Sequence, residues 1–569
     1  MKVLLTLAVL AAAATLALLP ARARTLAPDP SAPPFVRGVM HVHTNRSDGT
    51  GSPDGIAAAA AQAGLQFVVF TDHGDAARKP EPPVRLHGVL CIDAVEISTD
   101  QGHVVAIGLP QAPYPLGGQV RDVIEDVHRL GGMAIAAHPT SARQSLRWSD
   151  SGAPFDGIEW LNGDSQWRDE RVLTLGRALL TYWWRPAESL GQLLDRPAEA
   201  MRMWDEASRT RAVVGLAAAD AHARIGLRGV GEPYDDRPVG RLPDYLSQFR
   251  AFSIVLPGVR LSGLPVDDAD TIVDAIRQGR VASVIDALAS PGWLELTATS
   301  GQARAEQGGE LRPDGEVSLH VRAPTVAGAQ VTVIRDGREV ATSDLAKAEQ
   351  IDFGPDLATY RVEVTLPGSP GLPPVPWLVS NPIYVRAAPP GGAVPAQSRA
   401  VPPAPARQVD LSAAGSVRQW KVEHSSLSDG RIGEARATDG TQLLARWALG
   451  GAEDEPAYVA VVRSIDRLST GYDAVTLNAH ASRPMRISVQ LRKADGTFEG
   501  RRWARSIYLD ETSRELRLPL RDFVPVGHNE PVGDGADLES LLFVVNRVNA
   551  ALGTNGLFWL DDVRLVGTQ

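Results

Sequence analysis

Apolar and polar positions change their rhythm twice along this chain. Between residues 35 and 288, short apolar runs alternate with amphipathic stretches. Runs at 36–40, 67–71, 133–137, 157–161 and 213–218 are short and mostly apolar, which predicts buried strands. Between them lie helix signals. Ser52-Pro53 pairs an N-cap with a proline at the first helical position, and Gly64 ends the Ala-rich stretch that follows. Residues 120–130 run as a helix into Gly131-Gly132, and 269–278 read as a closing helix. Strands alternating with helices predict a parallel α/β sheet or barrel over 35–288. Residues 167–203 carry Trp183-Trp184 but no strand signal, so they read as a helical insertion, a candidate lid.

After Ser290 the period drops to two. Alternation at 293–299, 316–322, 330–334 and 359–365, with Asp336-Gly337 as a hairpin turn, predicts a β-sandwich over 290–386 of immunoglobulin-like size. Residues 387–406 are mostly Pro, Ala, Gly and Val, the composition of a semi-extended linker. A second all-β unit follows over 407–569, with strands expected at 458–463, 474–479, 485–491, 516–518, 541–545 and 556–566, and its length suggests a jelly roll.

At 569 residues several cores are needed, and 44% hydrophobic with 22% charged residues is a globular composition. The net charge of −10 leaves no basic stripe for a phosphate backbone, which argues against nucleic acid as a partner. Lys2, the apolar run 3–19 and the small-residue pattern Ala21-Arg22-Ala23 read as a signal peptide over 1–23, placing the mature chain in the periplasm or outside the cell without a membrane span. Cys91 is the only cysteine, so no intramolecular disulfide forms, and its apolar surroundings make it a core residue.

The candidate chemistry sits at the ends of the predicted strands. His41-Val42-His43 is followed by Asp48-Gly49, and Asp72-His73, Glu96, His103, His138 and Asp220-Ala221-His222 come after the later runs. Two histidines at i and i+2 of a strand face the same way and reach one ion. Side chains delivered from several strand ends converge on one mouth of a barrel. Six of the 12 histidines fall in these motifs, more than scatter along the chain would give.

Taken together, these motifs resemble those of the PHP (polymerase and histidinol phosphatase) superfamily over residues 35–290. That resemblance implies a distorted (β/α)7 barrel holding two or three divalent ions (zinc, manganese or iron). It assigns His41, His43, Glu96 and Asp220 to a first ion, Glu96, His103 and His138 to a second, and Asp48, His73 and His222 to a third. Glu96 is then the bridge and, with Asp220, catalytic. Asp72 is expected as a partner behind the ligands, and Arg46 and Arg143 as grips for a substrate anion. Trp160 and Asn162 are candidate pocket residues, a core position being the commoner fate of such a Trp. Closely spaced ions would lower the pKa of a shared water toward ~7.

The implied activity is hydrolysis of a small phosphoester substrate, as a phosphodiesterase or phosphomonoesterase. The alternative is a carboxylic or carbamate ester, because the sandwich and its ending at 377–385 (Trp-Leu-Val-Ser-Asn-Pro-Ile-Tyr-Val) resemble the extracytoplasmic carbaryl-hydrolase-like branch. The 407–569 unit resembles galactose-binding-like jelly rolls, which would suggest carbohydrate as its partner. A non-catalytic surface carbohydrate-binding protein is the reading from another class, and fold alone does not decide it.

Overall fold

In a computed structural model the chain is mostly β-sheet, with short α-helices that, among the described residues, are confined to the first half. The structure describes residues 18–74, 80–99, 101–109, 118–144, 146–168, 170–226, 238–347, 350–353, 356–387, 407–412, 416–437, 440–451, 456–465, 471–495, 500–528, 530–533 and 537–567. Most of the apolar run 3–19 and most of the linker 387–406 lie outside these residues.

The first half contains β1 (Phe35–Val42), α1 (Pro53–Gln62), β2 (Phe67–Phe70), β3 (Val84–Leu86), β4 (Val89–Asp93), β5 (Val95–Thr99), β6 (Gly102–Ile107), α2 (Val120–Arg129), β7 (Met133–Ala137) and β8 (Gly157–Asn162). Four helices follow, α3 (Gly163–Arg168), α4 (Val172–Tyr182), α5 (Pro186–Gly191) and α6 (Ala198–Ser208). Then come β9 (Val214–Ala218), α7 (Tyr245–Phe249), β10 (Ser253–Pro257), α8 (Pro265–Arg277) and β11 (Ala282–Val284). The Ser52 side chain caps α1 by accepting the Gly55 N–H, with Pro53 at the first helical position.

The strands form two sheets, one in the order β9-β8-β7-β6-β5 and the other containing β11-β10-β1-β2-β4-β3. Pairing is mixed. β1, β2 and β4 run parallel, as do β7, β8 and β9, while β5, β6 and β10 pair antiparallel with their neighbours. A purely parallel sheet is therefore not what forms. Two isolated parallel bridges, Val42 to Ala221 and His73 to Glu96, tie the sheets together at the strand ends that carry the candidate ligands.

Glu295–Ser300, Ala303–Glu306, Val317–Arg322 and Gln350–Phe353 form a four-stranded sheet of their own, but the other sandwich strands do not. Leu378–Ser380 pairs with β11, so one twelve-stranded sheet runs from the first half into the sandwich. The expected hairpin turn is present, with Asp336 and Gly337 both at positive φ (49° and 80°) between Gln330–Arg335 and Arg338–Asp344.

The outer edge of β9 is completed largely by side chains. The Tyr384 hydroxyl accepts from Val213 N–H at 2.8 Å, Asn381 Oδ1 from Gly215 N–H at 2.7 Å, and Ser283 Oγ from Ala217 N–H at 3.0 Å. Two residues on, the backbone takes over, as Ala219 and Ala221 N–H donate to the Met40 and His41 carbonyls. The same edge that delivers Asp220 is thus held by alternating partners along its whole length.

A buried ion cluster adds to this junction. Arg361 grips both oxygens of Asp205 on α6 (3.1 and 3.0 Å) and pairs with Glu363, which also accepts two hydrogen bonds from Arg196. The residues from 407 onward form two six-stranded antiparallel sheets over their own apolar core.

Candidate metal centre

The strand-face expectation for His41 and His43 gives way to a different local geometry. His41 is in the left-handed region (φ 63°), and the β1–β2 register shifts between Val39 and Val42. Both imidazoles nevertheless reach the same acids: Nε2 of His41 and of His43 lie 3.2 and 3.1 Å from Glu96 Oε2, and 3.2 and 3.4 Å from Asp220 Oδ1. His138 and Asp220 also have positive φ (30° and 47°). For residues with a Cβ such conformations cost about 1–3 kcal/mol each, and they persist only where surrounding contacts enforce them.

Glu96 divides its oxygens. Oε2 faces His41, His43 and His73, and Oε1 lies 2.8 Å from both His103 Nδ1 and His138 Nε2. Asp48 lies 3.3 Å from His43 Nδ1, 3.1 Å from His222 Nε2 and 3.8 Å from His73 Nε2. The His43 and His222 rings stack at 4.0 Å. Potential ligand atoms therefore converge in three overlapping groups: His41, His43, Glu96 and Asp220; His73, Glu96 and His103; and His43, Asp48, His73 and His222. Eight of the nine expected ligand residues fall in these groups, with His43, His73 and Glu96 each serving two, and His138 joins the cluster through Glu96 Oε1.

These donors suit a cation better than one another. Both ring nitrogens of His43, Asp48 Oδ2 and His222 Nε2 lie 3.1–3.4 Å from opposite charges without an aligned hydrogen bond, and His138 Nδ1 is buried without a partner. An unsatisfied buried polar atom costs about 1–3 kcal/mol, so several in one place indicate a missing ligand. Imidazole and carboxylate donors without thiolate fit zinc, manganese or iron.

Burial opposes charge throughout the cluster, yet the opposite charges win. It would lower His41, but Asp220, Glu159 and Glu96 hold its pKa well above the ordinary value. It would raise Glu96, but His73, His41 and His103 hold that carboxyl well down. His73 is the exception. Burial, with His43 and His222 adding to it against Glu96 and Asp48, pushes it down to about 3.

Some functional contacts were not anticipated from sequence. Glu159 on β8 is fully buried, with Oε1 2.5 Å from His41 Nδ1. Its Oε2 accepts from the His138 backbone N–H and from Asn162 Nδ2, both at 2.8 Å. The available signal was a lone acid between Ile158 and Trp160 in an otherwise apolar strand. Tyr245 Oη lies 2.8 Å from the His43 carbonyl and accepts from Gly51 N–H, bracing the turn behind the ligands. Gly49 is required in that turn, because a Cβ there would meet the His43 carbonyl at 2.2 Å. Arg168 on α3 pairs with Asp164. Burial would lower its pKa, but Asp164, Asp220 and Asp48 raise it, which puts a cation in the field of the cluster.

Asp72 stands behind the ligands, whereas the expectation of Arg46 as a substrate grip needs correcting. Asp72 accepts from Thr44 N–H, Thr44 Oγ1, Ser47 Oγ and Arg46 Nε, which occupies both its oxygens in holding the 44–48 turn. Arg46 is committed to Asp72, Asp93 and Glu81 at 3.0–3.2 Å and is a clamp, not a substrate grip. Arg143 stands half-buried in the turn after His138, with its N–H donating to Ser141 Oγ. Trp160 is core, donating to Ser283 Oγ. His87 and His128 stay outside the cluster, paired with Asp54 and Asp156.

No family model matches the chain. An uncharacterized protein, MJ1587, of Methanocaldococcus jannaschii is 30% identical over 118 residues, which is 18% of this chain and 67% of the relative. The chain belongs to that protein's family. Among solved structures, a family 11 carbohydrate-binding module of the cellulosomal cellulase Lic26A-Cel5E of Clostridium thermocellum is 15% identical, with 28% of this chain and 95% of that one covered and a TM-score of 0.24. A carbohydrate-binding module described for specific mannan recognition is 16% identical, with 29% and 98% covered and a TM-score of 0.21.

Proposed function

We propose that this chain is an exported metal-dependent hydrolase of ester bonds, of the PHP type, with phosphoesters as its preferred substrates. The observation that supports it is the division of Glu96 between two sets of imidazoles, with buried His43, Asp48 and His222 atoms left without aligned hydrogen bonds around it. His41, His43, Glu96 and Asp220 would hold one divalent ion, Glu96, His103 and His138 with His73 a second, and Asp48, His73 and His222 with His43 a third. Bound ions of this kind supply an ionised water at neutral pH and neutralise charge on the substrate oxygens. The chain's own residues fix the geometry. Glu159 orients His41, and Tyr245 and Asp72 lock the turns behind His43 and Asp48. Arg168 gives the site a cation able to favour an anionic substrate.

The test is metal content per chain together with turnover of bis-nitrophenyl phosphate and of a nitrophenyl carboxylate ester. Diester cleavage that is lost in Glu96→Gln supports the proposal. Fast carboxylate ester cleavage with negligible diester cleavage would move the activity to the carboxylic or carbamate esters.

A second reading concerns the C-terminal unit, for which we propose carbohydrate binding. A cleft there is lined by Tyr458, Gln490, Arg492, Glu423 and Asn546, and Gln490 Oε1 is buried in it without a hydrogen-bond partner. An aromatic face beside planar polar groups suits a sugar ring. Retention of the full chain on a polysaccharide panel, reduced by Gln490→Leu, tests it. No retention on any polysaccharide ends it.

A further inference from the structure

The outward face of α4 has the wrong polarity for a helix facing water. Val172, Leu173, Leu179, Leu180, Trp183 and Trp184 are 83%, 88%, 56%, 43%, 70% and 59% exposed. Their spacing is that of one helical face, and Gly176, with nothing near where its Cβ would be, lies on the same stripe. The opposite face is anchored. Ala178, Thr181 and Tyr182 are buried, Thr181 bonds Ser189 at 2.8 Å, and Tyr182 donates to Asp244 at 2.7 Å. The exposure is not scatter, since six of the sixteen exposed large apolar side chains among the described residues fall within these 13 positions. The only two tryptophans in that exposed set, of 12 in the chain, sit together at the end of the stripe.

A further observation says what covers this face. Arg171, Arg177 and Arg185 flank it, a charge pattern complementary to an anionic surface.

We propose that α4 is an interfacial membrane-binding surface that lays its apolar stripe into an anionic lipid surface. Leucine and valine would enter the acyl boundary, Trp183 and Trp184 would sit at the headgroup level, and the arginines would face anionic headgroups. The candidate metal centre would then work beside a membrane.

The test uses the full chain with a polarity-sensitive fluorophore attached through Gly176→Cys, where open space tolerates the change, and a control attached through Glu206→Cys, an exposed position on α6. Cys91 is buried and stays unlabelled. With vesicles of phosphatidylcholine and phosphatidylglycerol, the position 176 label shifts to the blue and is quenched by brominated lipid, while the control stays silent. Leu173→Glu with Trp183→Glu abolishes the shift. Pure phosphatidylcholine weakens it at least about tenfold, because each arginine near an anionic surface contributes about 1 kcal/mol. Co-flotation with a silent position 176 label would mean that only the N-terminal segment meets lipid, and would overturn the proposal. A shift that grows with protein concentration in the absence of vesicles would assign the face to a second copy and overturn it too. Equal responses on both lipid mixtures would remove the role given to the arginines.

Discussion

Glu159 Oε1 lies 2.5 Å from His41 Nδ1, and both residues are fully buried. The carboxylate fixes which nitrogen of His41 carries the proton, so that Nε2 is left for an ion, and through Oε2 it also holds the backbone at His138. Glu159→Gln should therefore keep the fold but weaken metal affinity by about 10–100-fold, the usual effect of losing a partner behind a ligand. Competition with a chelating indicator, alongside circular dichroism, checks it. Unchanged affinity would leave Glu159 a structural residue.

Metal loading should release protons. His41 and His43 are held well above the ordinary 6.5, and His138 and His222 above it, because nearby carboxylates outweigh burial, so the ion-free cluster holds protons more tightly than free imidazoles do. Ions bind the neutral imidazole, and affinity should fall as pH is lowered. Titration with zinc in weakly buffered solution, followed by a pH indicator, measures the release.

The ion cluster between α6 and the sandwich should be costly to break. Arg361→Met would leave Asp205 and part of Glu363 buried without their cation, a loss of about 3–5 kcal/mol. Burial raises the Glu363 carboxyl, but Arg361 and Arg196 bring it down to about 2 from its ordinary 4.5. A depressed carboxyl stabilises the fold above its unfolded value and loses that contribution as pH falls through its folded value. The stability gap between the parent chain and Glu363→Gln should accordingly be full above about pH 4.5 and close toward pH 2. Denaturant melts at several pH values would show it.

Asn381→Leu should act on a site it does not touch. It would leave the Gly215 N–H and C=O and the Val281 C=O without their partner, at about 1–3 kcal/mol for each group left buried and unsatisfied. Because Gly215 lies on the strand that ends at Asp220, metal affinity should fall along with melting temperature. A drop in melting temperature alone would mean that β9 keeps its register without the amide.

Cys91 should be inert in the folded chain. Burial pushes its thiol up to about 11, and a disulfide reagent should find one thiol per chain only after unfolding.

The candidate ligand cluster was legible because most of its residues stand at or just past the ends of apolar runs, with Glu96 and His103 at the starts of theirs, and strand ends converge whatever the exact pairing. The helical stretch after Trp167 and the hairpin at Asp336-Gly337 were legible for similarly local reasons. The mixed pairing was not, since β5 and β6 carry the same apolar signal in either direction. Nor was the continuous sheet. A strand as short as Ala282–Val284 has too few positions to show that its second edge is taken by Leu378–Ser380. Arg46 misled because charge beside a ligand motif looks alike whether it faces substrate or a turn. Glu159 was overlooked because its partner is 118 residues away.

Side chains from residues 381 and 384 lie along the edge of the strand that delivers Asp220. The sandwich thus acts as a splint on the half that carries the candidate metal centre, not as a passenger beside it. Recombination that exchanged it for another module would unseat Asp220, so the two halves should be inherited together, and a fragment cut at Ser290 should be the wrong piece to crystallise.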